Sequence, residues 1–337
     1  MHGLIPTTIL TGFLGAGKST LLKRVLHEPH GRRIAVIENE FGEENIDSEI
    51  IVAGGAERII QLSNGCLCCG IREDLRTTLE DLARRRAAGE IAFDQVVIET
   101  TGLADPGPIA QTFFLDPQIA AAYRPDAVLT LVDARHVMQQ LDSRAEARRQ
   151  VGFADRLFIS KADLVKPAEL ERLAARLAQM NPRAPQRLVS FGGVPLAEVF
   201  DLGGFNLDPG LELQPRALCG HAHHDDGHDG ACAHHHHFDD DVGSFVFRSE
   251  RPFHQRRFAQ FMNAMVRSHG QDLLRYKGVL HLAGIDRKVI LQGVHQLMSH
   301  DAGPAWGDED PRESRLVFIG LGLPQALMTR SLQQCLV

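Results

Sequence analysis

The stretch GFLGAGKST, residues 12–20, decides the fold class of this 337-residue chain. It fits the pattern GxxxxGK[ST], in which glycines let backbone N–H groups curl around phosphate oxygens. An apolar run precedes it at 7–13, and a helical pattern follows at 19–28. This strand–loop–helix context predicts a phosphate-binding P-loop and disfavours a chance glycine-rich turn.

The P-loop combines a backbone cradle with two side chains that have separate tasks. We expect Lys18 to reach the β- and γ-phosphate oxygens and Ser19 to hold Mg²⁺. The N-terminus of the following helix favours the negative charge of the phosphates. The residues expected to contact the nucleotide here are Gly12, Gly15, Ala16, Gly17, Lys18, Ser19 and Thr20.

Strand and helix patterns alternate along residues 6–200. The apolar runs are rich in Val, Ile and Leu and lack polar alternation, as expected for strands buried on both faces. These runs lie at 7–13, 33–38, 93–99, 127–133, 155–160 and 186–191. Helical patterns stand between them, at 19–28, 72–86 and 168–180. The alternation predicts an α/β fold, a mostly parallel P-loop sheet with helices on both faces.

The composition of the chain changes in its second half. Residues 204–243 are rich in Gly, Pro, Asp and His without an apolar period, which predicts a flexible His-rich linker or loop. Strand patterns return after it, and the helical pattern at 252–268 has one apolar face. We therefore expect a P-loop domain at 1–203 and a smaller C-terminal α+β domain at 244–337, with helices on one side of its sheet.

The overall composition excludes several classes of protein. Hydrophobic residues make up 44% and charged residues 23%, as in ordinary globular proteins, and the formal net charge is −7. This charge gives no electrostatic reason to expect nucleic acid or an anionic membrane as a partner. No run of 18 apolar residues predicts a membrane span. The six cysteines do not suggest a disulfide framework, and we expect a cytoplasmic protein.

The strand at 93–99 supplies the second part of the predicted nucleotide site. It ends at Glu99, and Gly102 follows, giving ExxG where many GTPases have DxxG. Glu99 is expected to hold the Mg²⁺ shell through a water, and the Gly102 N–H to report the γ-phosphate. An acid at a strand end is common, so this prediction depends on its position after the P-loop.

The strand at 155–160 supplies the base site. It is followed by Lys161 and Asp163, in the place where GTPases carry NKxD, with Ser160 replacing the usual Asn. A carboxylate there accepts hydrogen bonds from guanine N1–H and N2–H₂, and adenine offers no such donor pair. The stem of Lys161 would lie over the base. The sequence thus favours GTP over ATP, the alternative being that these are ordinary loop charges.

A cysteine cluster lies at 65–70, GCLCCG, just before a predicted helix. Thiols at a helix N-terminus are partly thiolate, the form that binds metals such as Zn²⁺. The predicted ligands are Cys66, Cys68 and Cys69, joined by acids of the segment 38–44, namely Glu38, Glu43 and Glu44. Buried hydrophobic cysteines, a redox pair and a disulfide are the alternatives, and bridges this short would be strained.

Eight histidines fall between His221 and His237, with Cys219 and Cys232 beside them. Such a stretch would collect Zn²⁺, Ni²⁺, Co²⁺ or Cu²⁺ with little selectivity, or would serve as a solvated linker.

The motifs GFLGAGKST, ENEFGE, NGCLCC, ETTGLADPGPI and SKAD, in this order, resemble those of the CobW-type metallochaperone GTPases. The resemblance continues through LLRYKG, LQGVHQL, AWGDED and LVFIG, so it covers nearly the whole chain. It implies slow GTP hydrolysis, a CxCC metal site coupled to the nucleotide state, and delivery of a transition metal to a client. Carried over by position, the magnesium side is Ser19 and Glu99, and the metal motif is Cys66, Cys68 and Cys69. Glu38 and Glu43 match acids that join metal binding in one bacterial branch of the family.

The sequence hypothesis is a GTP-hydrolysing metallochaperone that uses GTP, Mg²⁺ and Zn²⁺, with Co²⁺ or Ni²⁺ also fitting the ligands. Its catalytic residues are Lys18, Ser19, Glu99 and Gly102. Slow turnover is expected because the sequence shows no obvious arginine finger or water-positioning glutamine. The expected partner is a metalloprotein client, and a homodimer is left open. The alternatives are a metal-buffering protein with regulatory nucleotide binding and a P-loop small-molecule kinase, which the Asp163 motif disfavours.

Overall fold

A computed structural model describes residues 3–28, 31–38, 60–61, 70–205, 241–307 and 310–337. Several predicted site residues lie outside these ranges, namely Cys66, Cys68, Cys69, Glu43, Glu44 and the histidines of 221–237. Within the described ranges, no helix has both the length and the apolar character that crossing a bilayer requires.

The N-terminal part of the chain forms a sheet of parallel strands. The strands are β1 (Ile5–Gly12), β2 (Ile34–Glu38), β3 (Ile60–Gln61), β4 (Gln95–Glu99), β5 (Tyr123–Asp133), β6 (Arg156–Ser160) and β7 (Gln186–Val189). Their order is β3-β2-β4-β1-β5-β6-β7, and all neighbours pair in parallel. The predicted parallel α/β sheet is confirmed. Only β3 was not predicted, because a strand of two residues leaves no hydrophobic pattern.

Helices connect these strands and cover both faces of the sheet. They are α1 (Lys18–His27), α2 (Gly70–Ala87), α3 (Pro106–Leu115), α4 (Pro117–Ala122), α5 (Val137–Ser143), α6 (Ala145–Phe153) and α7 (Pro167–Met180). Short 3₁₀ turns occur at Ala162–Leu164 and Leu196–Glu198. The patterns at 19–28, 72–86 and 168–180 correspond to α1, α2 and α7, whereas the helices from α3 to α6 were not predicted.

The burial of β1 explains why its sequence does not alternate. The neighbouring residues Ile9 and Leu10 point to opposite faces, and both are buried. Ile9 packs in the core that contains Leu79 of α2, while Leu10 packs with Leu21 of α1. A strand that is covered on both sides reads as a continuous apolar run.

The C-terminal part is a smaller antiparallel sheet with two helices. Its elements are β8 (Val242–Ser249), α8 (Gln255–His269), β9 (Leu273–Leu280), β10 (Arg287–Val294), β11 (Leu297–Ala305), β12 (Ser314–Leu321) and α9 (Gln325–Gln334). The strand order is β11-β10-β9-β12-β8. Both helices pack on one face through Phe258, Met262 and Leu332, which confirms the predicted α+β arrangement. The sequence did not predict β11, an edge strand of mixed polar composition that contains Gly and Pro.

The other face of the C-terminal sheet packs against the P-loop domain. Val294 and Ile319 of this sheet belong to the same apolar cluster as Val151 of α6. Beside them, the guanidinium of Arg275 lies 2.7 Å from the carboxylate of Asp155, and both side chains are buried. The two parts of the chain therefore share one core.

Candidate functional site

The loop between β1 and α1 has the backbone that a phosphate cradle needs. Gly15 and Gly17 have φ angles of 75° and 102°, which L side chains rarely adopt. Gly17 is the residue that caps α1, so the helix begins as the loop ends. The free N–H groups of the first helical turn therefore converge on the concave side of the loop.

Lys18 places a positive charge at the centre of this cradle. Its side chain is buried, and its Nζ donates to the carbonyl of Gly12 at 2.8 Å and to that of Phe13 at 3.4 Å. The ammonium group is thus fixed within the P-loop by two backbone carbonyls. This geometry suits an anionic ligand.

Ser19 and Glu99, which are 80 residues apart in sequence, are brought into contact. The Ser19 hydroxyl donates to Glu99 Oε1 at 2.9 Å. Glu99 is buried at the end of β4, whose register pairs it with Leu10 of β1. The nearby Thr101 hydroxyl is buried and has no hydrogen-bond partner among the described residues. The Ser19 hydroxyl and the Glu99 carboxylate are oxygen donors of the kind that a hard cation such as Mg²⁺ takes as ligands.

Gly102 lies against the P-loop. A Cβ on Gly102 would stand 2.6 Å from the backbone nitrogen of Leu14, so no larger residue fits without a shift. Gln150 of α6 fixes this loop, because its Nε2 donates to the carbonyls of Gly102 at 3.1 Å and Ala104 at 3.0 Å. Gln150 is a positioning residue that the sequence did not reveal, since no motif contains it.

The end of β6 and the loop after it are joined to the P-loop from the other side. The Ser160 hydroxyl donates to the carbonyl of Ala16 at 2.8 Å, and Lys161 Nζ donates to the carbonyl of Gly15 at 2.8 Å. Lys161 has a φ of 56°, and Asp163 is exposed in the 3₁₀ turn that follows. The structure thus brings the predicted base-binding loop and the predicted phosphate loop together at one edge of the sheet.

Asp133 anchors Lys161 and was missed by the sequence analysis. Its carboxylate, at the end of β5, lies 2.7 Å from Lys161 Nζ and 2.9 Å from His136 Nδ1, and it accepts the Arg135 N–H at 3.0 Å. Burial alone would raise the pKa of Asp133, but these three partners outweigh it and hold the pKa below its usual value. The signal was present in the sequence, because AVLTLVD ends in an acid as QVVIE does.

Of the predicted transition-metal ligands, the described residues include Glu38 alone. Glu38 ends β2, is half-buried, and pairs in register with Glu99 on β4. The cysteines at 66, 68 and 69 lie outside the described residues, and α2 begins at Gly70, directly after them in the sequence. Within the described residues, no three His, Cys, Asp or Glu side chains come together as a metal site.

Comparison with known families identifies both parts of the chain. The family model "CobW/HypB/UreG, nucleotide-binding domain" matches residues 6–187, and "Cobalamin synthesis protein cobW C-terminal domain" matches residues 242–336. Among characterised proteins, the zinc chaperone YjiA of Escherichia coli is 41% identical over 322 residues, which is 95% of each chain. The zinc chaperone CobW of Pseudomonas aeruginosa is 34% identical over 98% of this chain and 92% of its own.

Comparison with solved structures agrees with the sequence matches. The crystal structure of Zn(II)-bound YjiA GTPase from E. coli superposes with a TM-score of 0.80 at 36% identity, covering 99% of both chains. The predicted resemblance and the predicted GTPase activity are confirmed by these relatives. The chain belongs to the CobW/HypB/UreG family of P-loop GTPases.

Proposed function

We propose that this GTPase is a metallochaperone, which binds a transition metal, zinc in the first place, and delivers it to a client metalloprotein in a nucleotide-dependent way. The names of its relatives YjiA and CobW as zinc chaperones support this proposal. We keep the cytoplasm as the expected location and a homodimer as an open alternative to the monomer.

The observation that carries the proposal is the pairing of Glu38 with Glu99 on adjacent strands. Paired residues on adjacent parallel strands lie about 5 Å apart and point to the same face of the sheet. An acid proposed for the cargo metal therefore stands beside an acid proposed for Mg²⁺. A displacement of the ligands at either cation would therefore shift the ligands at the other, because Glu38 and Glu99 end two neighbouring strands.

The cargo site proposed here comprises Cys66, Cys68 and Cys69, with Glu38 and Glu43 as additional ligands. The start of α2 at Gly70 supports this, because it puts the cysteine cluster directly before a helix N-terminus, where thiolates are favoured. Thiolate and carboxylate ligands suit Zn²⁺, and Co²⁺ and Ni²⁺ fit the same donors.

The hydrolytic roles follow from the P-loop geometry. Lys18 and the loop N–H groups would stabilise charge on the transferred phosphoryl group, and Gly102 N–H would contact the γ-phosphate in the GTP state. Ser19 and Glu99 would hold Mg²⁺, which when bound neutralises charge on the β- and γ-phosphate oxygens. Asp163 would select guanine. The sequence motifs contain no obvious arginine finger or water-positioning glutamine, so we expect slow turnover that a client or a second copy accelerates.

In the proposed cycle, GTP orders the two loops that carry the metal ligands. Contacts from the γ-phosphate to Gly102 and to the loop after Glu38 would set the cysteines and acids in place. Hydrolysis removes these contacts and loosens the site. Linkage then requires GTP and metal to strengthen each other's binding, by about 1–3 kcal/mol if the coupling is typical.

The first test is the affinity for Co²⁺ and Zn²⁺ with Mg²⁺ and a non-hydrolysable GTP analogue, compared with GDP. It uses a chain lacking residues 219–237, so that histidines of this segment do not add background binding. We expect tighter binding with the GTP analogue and thiolate-to-cobalt absorption, both lost when Cys66, Cys68 and Cys69 are replaced by alanine.

The matched control is Cys335→Ala, which removes a buried thiol at the end of α9. It should leave the cobalt absorption and the nucleotide effect unchanged. Equal metal affinity in both nucleotide states would contradict the chaperone mechanism. A full-length chain whose metal capacity resides mostly in 219–237 would instead support metal buffering.

A further inference from the structure

Phe191 is an aromatic residue that the fold leaves in solvent. Its side chain is 88% exposed, the largest value among the large hydrophobic residues of the described ranges. Leu188, three residues earlier in β7, is 51% exposed. A single exposed apolar side chain is common on protein surfaces, so the case for a ligand at Phe191 depends on its backbone and its place in the fold.

The backbone at Phe191 is held in an unfavourable conformation. Its φ is 48°, in the left-handed region that bulky residues rarely adopt. The following turn fixes this geometry. A Cβ on Gly192 would lie 3.0 Å from the Leu21 Cα and the Thr20 carbonyl, and Gly193 N–H donates to the Ser190 carbonyl at 2.8 Å. The loop therefore packs on the first turn of α1 and holds the ring outside.

The sheet places the loop that carries Phe191 beside the base-binding loop. β6 and β7 are parallel, and their register pairs Ser160 with Val189. The loops that follow these two residues leave the same edge of the sheet side by side. One carries Lys161 and Asp163, and the other carries Phe191. Gly192 packs on the first turn of α1, so the loop that carries Phe191 also lies next to the helix that follows the phosphate cradle.

We propose that Phe191 forms a wall of the guanine site, with its ring stacked on one face of the purine and the stem of Lys161 on the other. Lys161 is suited to this role because its Nζ is held by Gly15 and Asp133, which fixes its aliphatic stem. Aromatic rings stack on any base, so Phe191 supplies affinity while Asp163 supplies the choice of base. This inference rests on the proposed guanine role of Asp163.

The first experiment measures GDP and GTP affinity by calorimetry for Phe191→Ala, with Leu188→Ala as the matched control. Both changes remove an exposed apolar side chain from the same region. Loss of base stacking should weaken both nucleotides about 5- to 150-fold in Phe191→Ala. Leu188→Ala should bind as the wild type does. Wild-type affinity in Phe191→Ala, or an equal loss in both variants, would overturn the proposal.

A second experiment reads the contact directly through Phe191→Trp. The natural chain has one tryptophan, Trp306, so the emission added by this variant reports its own position. GDP should quench the added emission, whereas inorganic pyrophosphate, which has no base, should leave it unchanged. Emission that does not respond to GDP would contradict stacking.

The underlying base site is tested separately with Asp163→Ala. If this variant loses its preference for GDP over ADP while Phe191→Ala keeps wild-type affinity, the assignment of Phe191 alone is wrong. If Asp163→Ala keeps the preference, the guanine site on which the inference rests is wrong.

Discussion

Gly102 shows how a single residue brings the loop at residues 100–105, which we propose as the γ-phosphate sensor loop, against the P-loop. The absence of a side chain lets its backbone approach Leu14, and an added Cβ would also come 2.7 Å from the Leu14 side chain. The sensor loop and the phosphate loop are thus in contact through backbone atoms. A γ-phosphate bound in the cradle would lie within reach of the Gly102 N–H, as the ExxG pattern predicts.

We predict that Gly102→Ala slows GTP hydrolysis about 10- to 100-fold, because displacement of the sensor loop by a fraction of an ångström misplaces the γ-phosphate contact. The measurement is single-turnover hydrolysis with saturating GTP, together with thermal unfolding. We expect the melting temperature to change little although the hydrolysis rate falls, since the loop lies at the edge of the core.

Gly3→Ala is the control for that prediction, because nothing lies within 4 Å of the position of its Cβ. It should hydrolyse GTP at the wild-type rate. A Gly102→Ala enzyme that kept this rate would show that the approach to Leu14 has no part in catalysis.

At the same scale, the structure brings together several residues that the sequence motifs predicted for a nucleotide site. Ser19 and Glu99 are in contact, and Lys161 reaches the P-loop. Asp133 and Gln150 were missed, since each acts as a buried partner of a motif residue. Asp133 could have been found as an acid at a strand end. Gln150 could not, because the pairing of one side of α6 with the sensor loop exists only in three dimensions.

Among the elements, α6 supports the sensor loop. Gln150 is fully buried, and its side-chain amide is shared between two loop carbonyls. The neighbouring Arg149 lies 3.4 Å from Asp105, whose carboxylate caps α3 through the Gly107 N–H. One helix therefore holds both the sensor loop and the start of the helix that follows it.

We predict that Gln150→Ala lowers the free energy of unfolding by about 1–3 kcal/mol, because the buried carbonyl of Gly102 and the partly buried carbonyl of Ala104 lose their donor. It should also slow GTP hydrolysis by freeing the loop that carries Gly102. Chemical denaturation and single-turnover hydrolysis measure the two effects.

Ser143→Ala, which removes an exposed hydroxyl bonded only within α5, is the matched polar control and should change neither quantity. A Gln150→Ala variant that lost stability but kept its hydrolysis rate would limit α6 to a structural role.

Two physical reasons explain why the helices α3 to α6 were not predicted from the sequence. α3 is buried on several sides, at Ile109, Ala110, Thr112 and Phe113, so it lacks the polar face that gives a helix its periodic pattern. The helices α4 to α6 are nine residues or shorter, and such lengths give a weak periodic signal. Asp105 and Asp116, each followed by proline, were start signals for α3 and α4 that the sequence did contain.

At the scale of the whole molecule, the C-terminal domain contacts the sensor region through His295. A Cβ on Gly107 would lie 2.5 Å from His295 Nε2, and the imidazole packs on Phe153 with the ring centroids 5.3 Å apart. His295 is the first residue of the turn between β10 and β11. The C-terminal sheet therefore lies directly against the start of α3, and α3 begins at Pro106, four residues after Gly102.

We predict that this contact weakens in mild acid. Burial is the main cause that lowers the pKa of His295, opposed in part by the nearby Asp105. A depressed pKa in the folded state means that the unfolded chain binds the proton more readily. The contribution to stability is therefore complete above the ordinary histidine pKa and is lost as pH falls through the folded value. The measurement is the free energy of unfolding between pH 8 and pH 5.

His295→Asn is the matched variant, because asparagine tolerates the φ of 51° at this position and does not titrate. The difference between wild type and this variant should shrink as the pH falls. A difference in unfolding free energy that did not change with pH would show that protonation of His295 does not weaken the contact between the domains.

The ion pair between Arg275 and Asp155 makes the domain contact specific. Besides Asp155, the guanidinium of Arg275 donates to the carbonyls of Phe153 at 3.0 Å and Gly204 at 3.1 Å, and it lies 4.3 Å from the centre of the Phe205 ring. A buried charge with this many partners is costly to break from one side only.

We predict that Arg275→Ala lowers the free energy of unfolding by about 3–5 kcal/mol, because it leaves the Asp155 carboxylate buried without its cation. Arg315→Ala, at a more exposed ion pair on β12, should cost less than about 1 kcal/mol.

Because the domains share a core, calorimetry of the wild type should show one transition. Two separate wild-type transitions would mean that the domains fold independently, and a small effect of Arg275→Ala would mean that this ion pair does not hold them together.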